Sequence, residues 1–153
     1  MEIANRHAST ALTTVAAMFL LPGCVSAFVK PSNMVDIAEV VGPGESKILK
    51  TGTPQGTGGG VYRVPDGKVL VITRVVIQPM NPGPGSLDLN FIQSDTALGD
   101  RIRQTWRVPK SQSTQYDFSP GKLISSRSNL KVRNNGAGDD VAVMIYGYVT
   151  LLE

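Results

Sequence analysis

The sequence predicts an all-β fold, a two-sheet antiparallel β-sandwich that is jelly-roll-like and has eight or nine strands. Short apolar runs alternate along the chain with clusters of Gly, Pro, Asn and Asp, which is typical of strands joined by turns. No stretch keeps the period of an amphipathic helix. Two runs, at residues 69–77 and 141–149, are apolar at almost every position, as in central strands that are covered on both faces. The alternative fold is a small closed barrel.

The N-terminal segment has the pattern of a signal peptide. Arg6 and His7 precede an apolar run at 11–21, a Pro-Gly pair ends that run, and Ala27 follows as the small residue at a signal peptidase site. The run has about eleven strongly apolar residues, too few to span a bilayer as a helix. We therefore predict export to the periplasm, the cell surface or the medium. The predicted organisation is a signal peptide at 1–27, a short leader at 28–35 and a β-sandwich domain at 36–153.

Cys24 offers an alternative to removal of this whole segment. Residues 21–24 (LPGC) resemble the bacterial lipobox, in which the cysteine becomes the acylated first residue of a lipoprotein. Leu21 and Gly23 match that motif, whereas Pro22 departs from its usual small or β-branched residue. Lipidation at Cys24 would tether the domain to a membrane through acyl chains alone. Only in that case do we expect membrane contact.

Cleavage after Ala27 would remove two side chains that often serve in catalysis, an imidazole and a thiol. His7 is the only histidine and Cys24 the only cysteine, so a chain beginning at Phe28 has no imidazole base and no thiol nucleophile. It also lacks a disulfide and must be stabilised by its core. The formal net charge of +3 is too small to indicate nucleic-acid binding. We expect a non-catalytic protein with no cofactor and no metal site.

Turn signals separate the strands predicted in the first half of the domain. Strands at 37–41 and 46–49 flank a Gly-Pro-Gly turn, and the glycine-rich segment 51–60 is a loop. Strands at 61–64 and 69–78 flank a Pro-Asp-Gly turn, where Pro presets the first turn dihedral and Gly tolerates positive φ. We therefore predict that these last two strands form a hairpin.

Alternation of apolar and polar residues predicts the strands of the second half. It is clear at residues 87–91, 101–108, 114–118 and 130–133. A polar loop at 134–140 then precedes the longest strand, at 141–152.

Three segments resemble recurring pieces of small secreted bacterial β-sandwich modules: VPDGKVLVIT at 64–73, LKVRNNG at 130–136 and IYGYV at 145–149. The resemblance covers most of residues 60–150. The matching residues are those of turns and strands, so the resemblance implies the fold and carries no catalytic assignment.

Arg101, Arg103 and Arg107 are the candidate ligand-binding residues among the charged side chains. Alternation places them on one strand face, about 7 Å apart or more. Guanidinium groups bind phosphate, sulfate or uronate in a bidentate manner, so an anionic glycan is the partner that such a row would take. The alternative is a solvated face whose charges discourage edge-to-edge aggregation.

Trp106, Tyr146 and Tyr148 are the aromatic candidates. Trp106 would give a sugar-stacking platform if it were exposed. Alternation places it on one face with Ile102 and Val108, however, which favours core packing. Tyr146 and Tyr148 share a face of the last strand, where they either cover a second core face or form an aromatic patch for a partner.

Carboxylates offer the remaining chemistry. A glycosidase needs two of them about 5–10 Å apart, and the sequence supplies Asp88, Asp95, Asp100 and Asp117 without singling out a pair. The sequence thus predicts an exported, non-catalytic β-sandwich protein of the bacterial envelope that acts as a binding or structural module. The alternatives are a carbohydrate-binding module, a subunit of a surface assembly that pairs with another envelope protein or forms a homo-oligomer, and a carboxylate glycosidase.

Overall fold

The computed structural model describes residues 33–52 and 59–151, in which nine strands form two antiparallel sheets. The strands are β1 (Met34–Val41), β2 (Ser46–Ile48), β3 (Lys50–Thr51), β4 (Lys68–Pro79), β5 (Ser86–Asp95), β6 (Gly99–Pro109), β7 (Thr114–Ile124), β8 (Asn129–Asn134) and β9 (Val141–Leu151). The predicted two-sheet sandwich is therefore confirmed. The segment 1–27, with Cys24, lies outside the described residues. Within the described ranges, no helix has the length and apolar character needed to cross a membrane.

The strand pairing is that of a jelly roll. One sheet has the order β3-β1-β9-β4-β7 and the other has the order β2-β8-β5-β6. Apart from the two-residue β3, the strands pair in a nested way: β1 with β9, β2 with β8, β4 with β7 and β5 with β6. This pattern is typical of two successive Greek keys. It places β6 and β7 at the edges of their sheets on one side of the sandwich.

The core lies between the two sheets. The rings of Phe91 and Trp106 have centroids 5.6 Å apart, and Trp106 stacks on Tyr116 of the other sheet at 5.7 Å. The alternation predicted for β5 is confirmed, because Leu87, Leu89 and Phe91 are all buried in this layer. The described residues contain no cysteine, so burial of apolar area in this layer is the main source of their stability.

The hairpin predicted around the Pro-Asp-Gly turn is wrong. The turn itself forms, since Lys68 N donates to Pro65 O at 3.2 Å, but residues 61–64 do not pair with β4. Instead Val64 N donates to Ser128 O at 3.0 Å, next to β8 of the other sheet. The turn therefore carries the chain from one sheet to the other. Turn chemistry specifies a local reversal but not the strand that the incoming segment joins.

β1 begins at Met34, before the predicted start of the domain at residue 36. Met34 and Val35 pair with Tyr148 and Gly147 of β9. The end of the predicted leader therefore lies in the first strand, because the long β9 offers these residues partners. Residues 28–32 of that leader lie outside the described ranges.

A β-bulge in β6 changes the faces predicted for that strand. Phe91 pairs with Gln104 and Ile92 with Ile102, which leaves Arg103 as an extra residue. Because side chains alternate with a period of two, the extra residue reverses the faces on its N-terminal side. Ile102 is therefore 63% exposed, and the core position predicted for it is wrong.

Candidate binding surface

The same bulge divides the predicted arginine row. Arg107 lies on the outer face of the four-stranded sheet, where its Nε donates to Ser86 Oγ at 3.0 Å. Arg103 instead reaches the edge of the sandwich, and its Nη2 donates to Leu123 O of β7 at 3.3 Å. Arg101 lies N-terminal to the bulge, where the faces of the strand are reversed. The three guanidinium groups do not form one row, so the prediction that they share one strand face is wrong.

Trp106 is only 3% exposed and belongs to the core. Its ring is stacked against Tyr116 and packed on Phe91, which leaves no face for a ligand. The sugar-stacking role considered for Trp106 is therefore excluded, in line with the preference for core packing that its alternation indicates.

Tyr146 and Tyr148 project from the outer face of the five-stranded sheet, and we call this surface the tyrosine face. Both side chains are half-buried. Tyr148 belongs to an apolar row that crosses the sheet through Met34, Val71 and Leu123. Met34 is 54% exposed and Leu123 is 57% exposed. The tyrosine face thus presents apolar and aromatic surface to its surroundings.

Tyr146 lies in the neighbouring row, between charged side chains. Its cross-strand partners are Asp36 on β1 and Arg74 on β4, and Arg74 in turn lies opposite Asp117 on β7. Residues directly opposite each other in an antiparallel pair have Cβ atoms about 4.5–5.5 Å apart. Tyr146 is therefore flanked by a carboxylate on one side and a guanidinium on the other.

Two hydrogen bonds hold the carboxylate of the ion pair beside Tyr146. Arg74 Nε donates to Asp117 Oδ1 at 2.8 Å, and Gln115 Nε2 donates to Asp117 Oδ2 at 2.7 Å. The bond from Gln115, followed by the bond from Arg74, lowers the pKa of Asp117. Asp117 is thus a charged acceptor at neutral pH. The pair is well exposed, so it fixes geometry more than it adds stability.

A shallow depression in the tyrosine face includes this ion pair, and we call it the Tyr146 depression. Its lining residues are Met34, Thr73, Arg74, Asp117, Phe118 and Tyr146. The Tyr146 ring leans along β9, since its hydroxyl lies 3.9 Å from Met144 Sδ. The Tyr146 ring, Met34 and the ion pair therefore meet at one place on the surface, and Phe118, which also packs against the core, lies at its border.

Two irregularities of the backbone lie at the depression. Thr73 is an extra residue of β4 relative to β9, and the β7 segment 118–121 lies opposite it. Bulges of this kind re-aim side chains and are frequent next to functional sites. Two glycines permit the close approach of the strands here, because a Cβ at Gly147 would collide with Val71 O and a Cβ at Gly121 would collide with Val71 Cγ1.

Three of the aspartates considered for glycoside hydrolysis are far apart. Asp88 and Asp100 lie on the outer face of the four-stranded sheet, but Asp100 is opposite Ser94. This position is about 20 Å from Asp88 along β5. Asp117 lies on the other outer face of the sandwich. None of these three can pair with another across a cleft.

Asp95 and Asp100 lie closer together, yet both have structural roles. Asp95 Oδ1 accepts from Ala97 N at 2.7 Å within the turn that joins β5 to β6. Lys131 Nζ donates to Asp100 Oδ1 at 2.9 Å. Hydrogen bonds from Ser94 and from Lys131 lower the pKa of Asp100, which is opposite to the shift that a general acid needs. This arrangement disfavours the glycosidase alternative.

Comparison with protein-family models and with curated sequences finds no match for this chain. The Tyr146 depression is therefore the strongest basis for assigning a function. Of its lining residues, the sequence pattern predicts only Tyr146 as a ligand-binding residue. It does not identify Arg74 or Phe118. Two signals in the sequence adjoin them: the Thr-Arg pair at 73–74 interrupts the apolar run 69–77, and Ser-Pro-Gly at 119–121 directly follows Phe118. Both are typical of bulges.

Proposed function

We propose that this protein is an exported, non-catalytic module of the bacterial envelope that binds a carbohydrate through the Tyr146 depression. The observation that supports this proposal is the position of one aromatic ring between two opposite charges. Tyr146 lies between Asp36 and Arg74, and Phe118 lines the same depression.

A sugar ring matches both parts of this surface. The C–H face of a pyranose is apolar and packs on an aromatic ring, while its hydroxyl groups need donors and acceptors. Arg74 supplies donors, and Asp117 supplies a carboxylate that two hydrogen bonds hold in place. The depression is shallow, so it suits a polysaccharide that passes across the sheet better than a small molecule that must be enclosed.

Tyr146→Ala is expected to weaken binding to a soluble polysaccharide by about tenfold or more, because it removes the ring on which the sugar packs. The measurement is the retardation of the purified protein in native gels that contain a neutral β-glucan, a galactan or polygalacturonate. Tyr148→Ala is the matched control, since Tyr148 shares the strand and the face but does not line the depression. Unchanged migration of the wild type in all three polysaccharides would contradict the carbohydrate assignment.

A subunit of a surface assembly is the second candidate. The exposed apolar side chains of Met34 and Leu123, which flank the half-buried Tyr148 and the buried Val71 in one row, favour it, because exposed apolar surface can mark protein interfaces. In that case Tyr148→Ala has the larger effect, and the property it changes is self-association in sedimentation experiments rather than migration in polysaccharide gels.

Export is expected to leave a chain that begins at Phe28, since Ala27 is the small residue at the predicted cleavage site. The measurement is the intact mass of the protein purified from its native host. A mass that begins at Cys24 and includes acyl chains would instead identify a membrane-tethered lipoprotein. A mature chain that still carried residues 1–20 would contradict export.

A further inference from the structure

The open edge between β6 and β7 carries two cations that reach across it in opposite directions. Lys122 of β7 donates from Nζ to Arg103 O at 2.9 Å and to Gln104 Oε1 at 2.8 Å. Arg103 of β6 donates from Nη2 to Leu123 O at 3.3 Å. The bulge in β6 turns Arg103 toward this edge, so the two side chains cross it side by side.

Among the residues that the structure describes, neither cation has an acidic partner. Seven ion pairs join Lys or Arg to carboxylates in the described parts of the chain, and none of them includes Lys122, Arg103 or the neighbouring Arg101. Burial, and after it the charge of Arg103, lowers the pKa of Lys122. Two like charges therefore lie together, and one of them, Lys122, is partly buried. An anion bound between them would relieve their repulsion.

The contacts within the edge leave donors for such an anion. An ammonium group has three N–H donors, and a guanidinium group has five. The bonds described above use two donors of Lys122 and one donor of Arg103. Gln104 accepts from Lys122 through Oε1, so its NH₂ group is a further donor. A carboxylate or sulfate accepts two parallel hydrogen bonds from a guanidinium fork.

We propose that Lys122, Arg103 and Gln104 form an oxyanion-binding site, the edge site, that takes a carboxylate or sulfate group. The edge site adjoins the Tyr146 depression, because Lys122 Nζ lies 5.7 Å from the ring centroid of Phe118, which lines that depression. If the proposed function holds, the two sites together select an acidic polysaccharide. The edge site itself stands independently, because its test uses small anions and does not involve Tyr146.

The test is an NMR titration of the purified protein with sodium sulfate and with sodium D-glucuronate, at an ionic strength held constant with sodium chloride. We expect saturable shifts of the backbone amide signals of residues 101–104 and 122–124. Arg103→Gln is expected to weaken the binding about tenfold, since it removes the guanidinium fork. Arg133→Gln is the matched control, because Arg133 is exposed and outside the seven ion pairs but lies on β8.

Lys122→Arg distinguishes anion binding from the contacts by which Lys122 joins the two sheets. The variant keeps the positive charge and the N–H donors, so it is expected to retain anion binding. Saturation with only one of the two anions supports the proposal and identifies a tetrahedral or a planar ligand. Shifts that grow linearly with anion concentration, or that are the same in Arg103→Gln as in the wild type, overturn it. The contacts of Lys122 and Arg103 would then only join the two sheets.

Discussion

Trp106→Ala is expected to lower the free energy of unfolding by about 3–5 kcal/mol. The indole ring lies between Phe91 of its own sheet and Tyr116 of the other, with ring centroids 5.6 Å and 5.7 Å away. Its removal leaves a cavity between two sheets that are too rigid to collapse into it. The measurement is urea denaturation followed by far-UV circular dichroism. If Trp106 were a ligand platform instead, stability would change by less than about 1 kcal/mol and polysaccharide binding would be lost.

Ile102→Ala on the same strand is the matched control. Simple alternation places Ile102 in the core beside Trp106, but the bulge at Arg103 leaves it 63% exposed. The substitution is therefore expected to change stability by no more than about 0.5 kcal/mol. A loss comparable with that of Trp106→Ala would show that the bulge is misplaced.

Alternation predicts side-chain faces correctly where the strand ladder is regular. In β5, Leu87, Leu89 and Phe91 are buried as their spacing requires. In β6 the same rule fails at Arg103, since nothing about this residue type in the sequence marks it as the extra residue of a bulge. Contacts across the edge hold Arg103 in place, including its bond to Leu123 O. The position of Arg103 depends on a strand of the other sheet, so the alternation of residues within β6 does not reveal it.

The order of the strands limits what the sequence predicts about the binding surface. The shared face of Tyr146 and Tyr148 follows from their spacing alone. Arg74 and Asp117 are 43 positions apart and meet only because β4 and β7 are neighbours in the sheet. Many strand orders satisfy the same alternation, so the sequence predicts the sandwich but not this ion pair beside Tyr146.

Gly147→Ala is expected to lower the free energy of unfolding by about 1–3 kcal/mol and to abolish the proposed binding at the Tyr146 depression. A Cβ at Gly147 would collide with the backbone carbonyl of Val71, which a central strand holds in place. β4 would have to move away from β9. The bulge at Thr73, which places Arg74 beside Tyr146, would move with it. Stability is measured by urea denaturation and binding by retardation in polysaccharide gels.

Gly83→Ala is the matched control, because it adds the same methyl group in a loop where no atom lies within 4 Å of the new Cβ. We expect it to be neutral or to stabilise the protein by up to about 1 kcal/mol, since it reduces the freedom of the unfolded chain. If Gly147→Ala were equally harmless, the close approach of β9 to the bulge in β4 would not constrain the sheet. The positions of Arg74 and Tyr146 would then not depend on that approach, and the proposed binding at the Tyr146 depression would not rest on it.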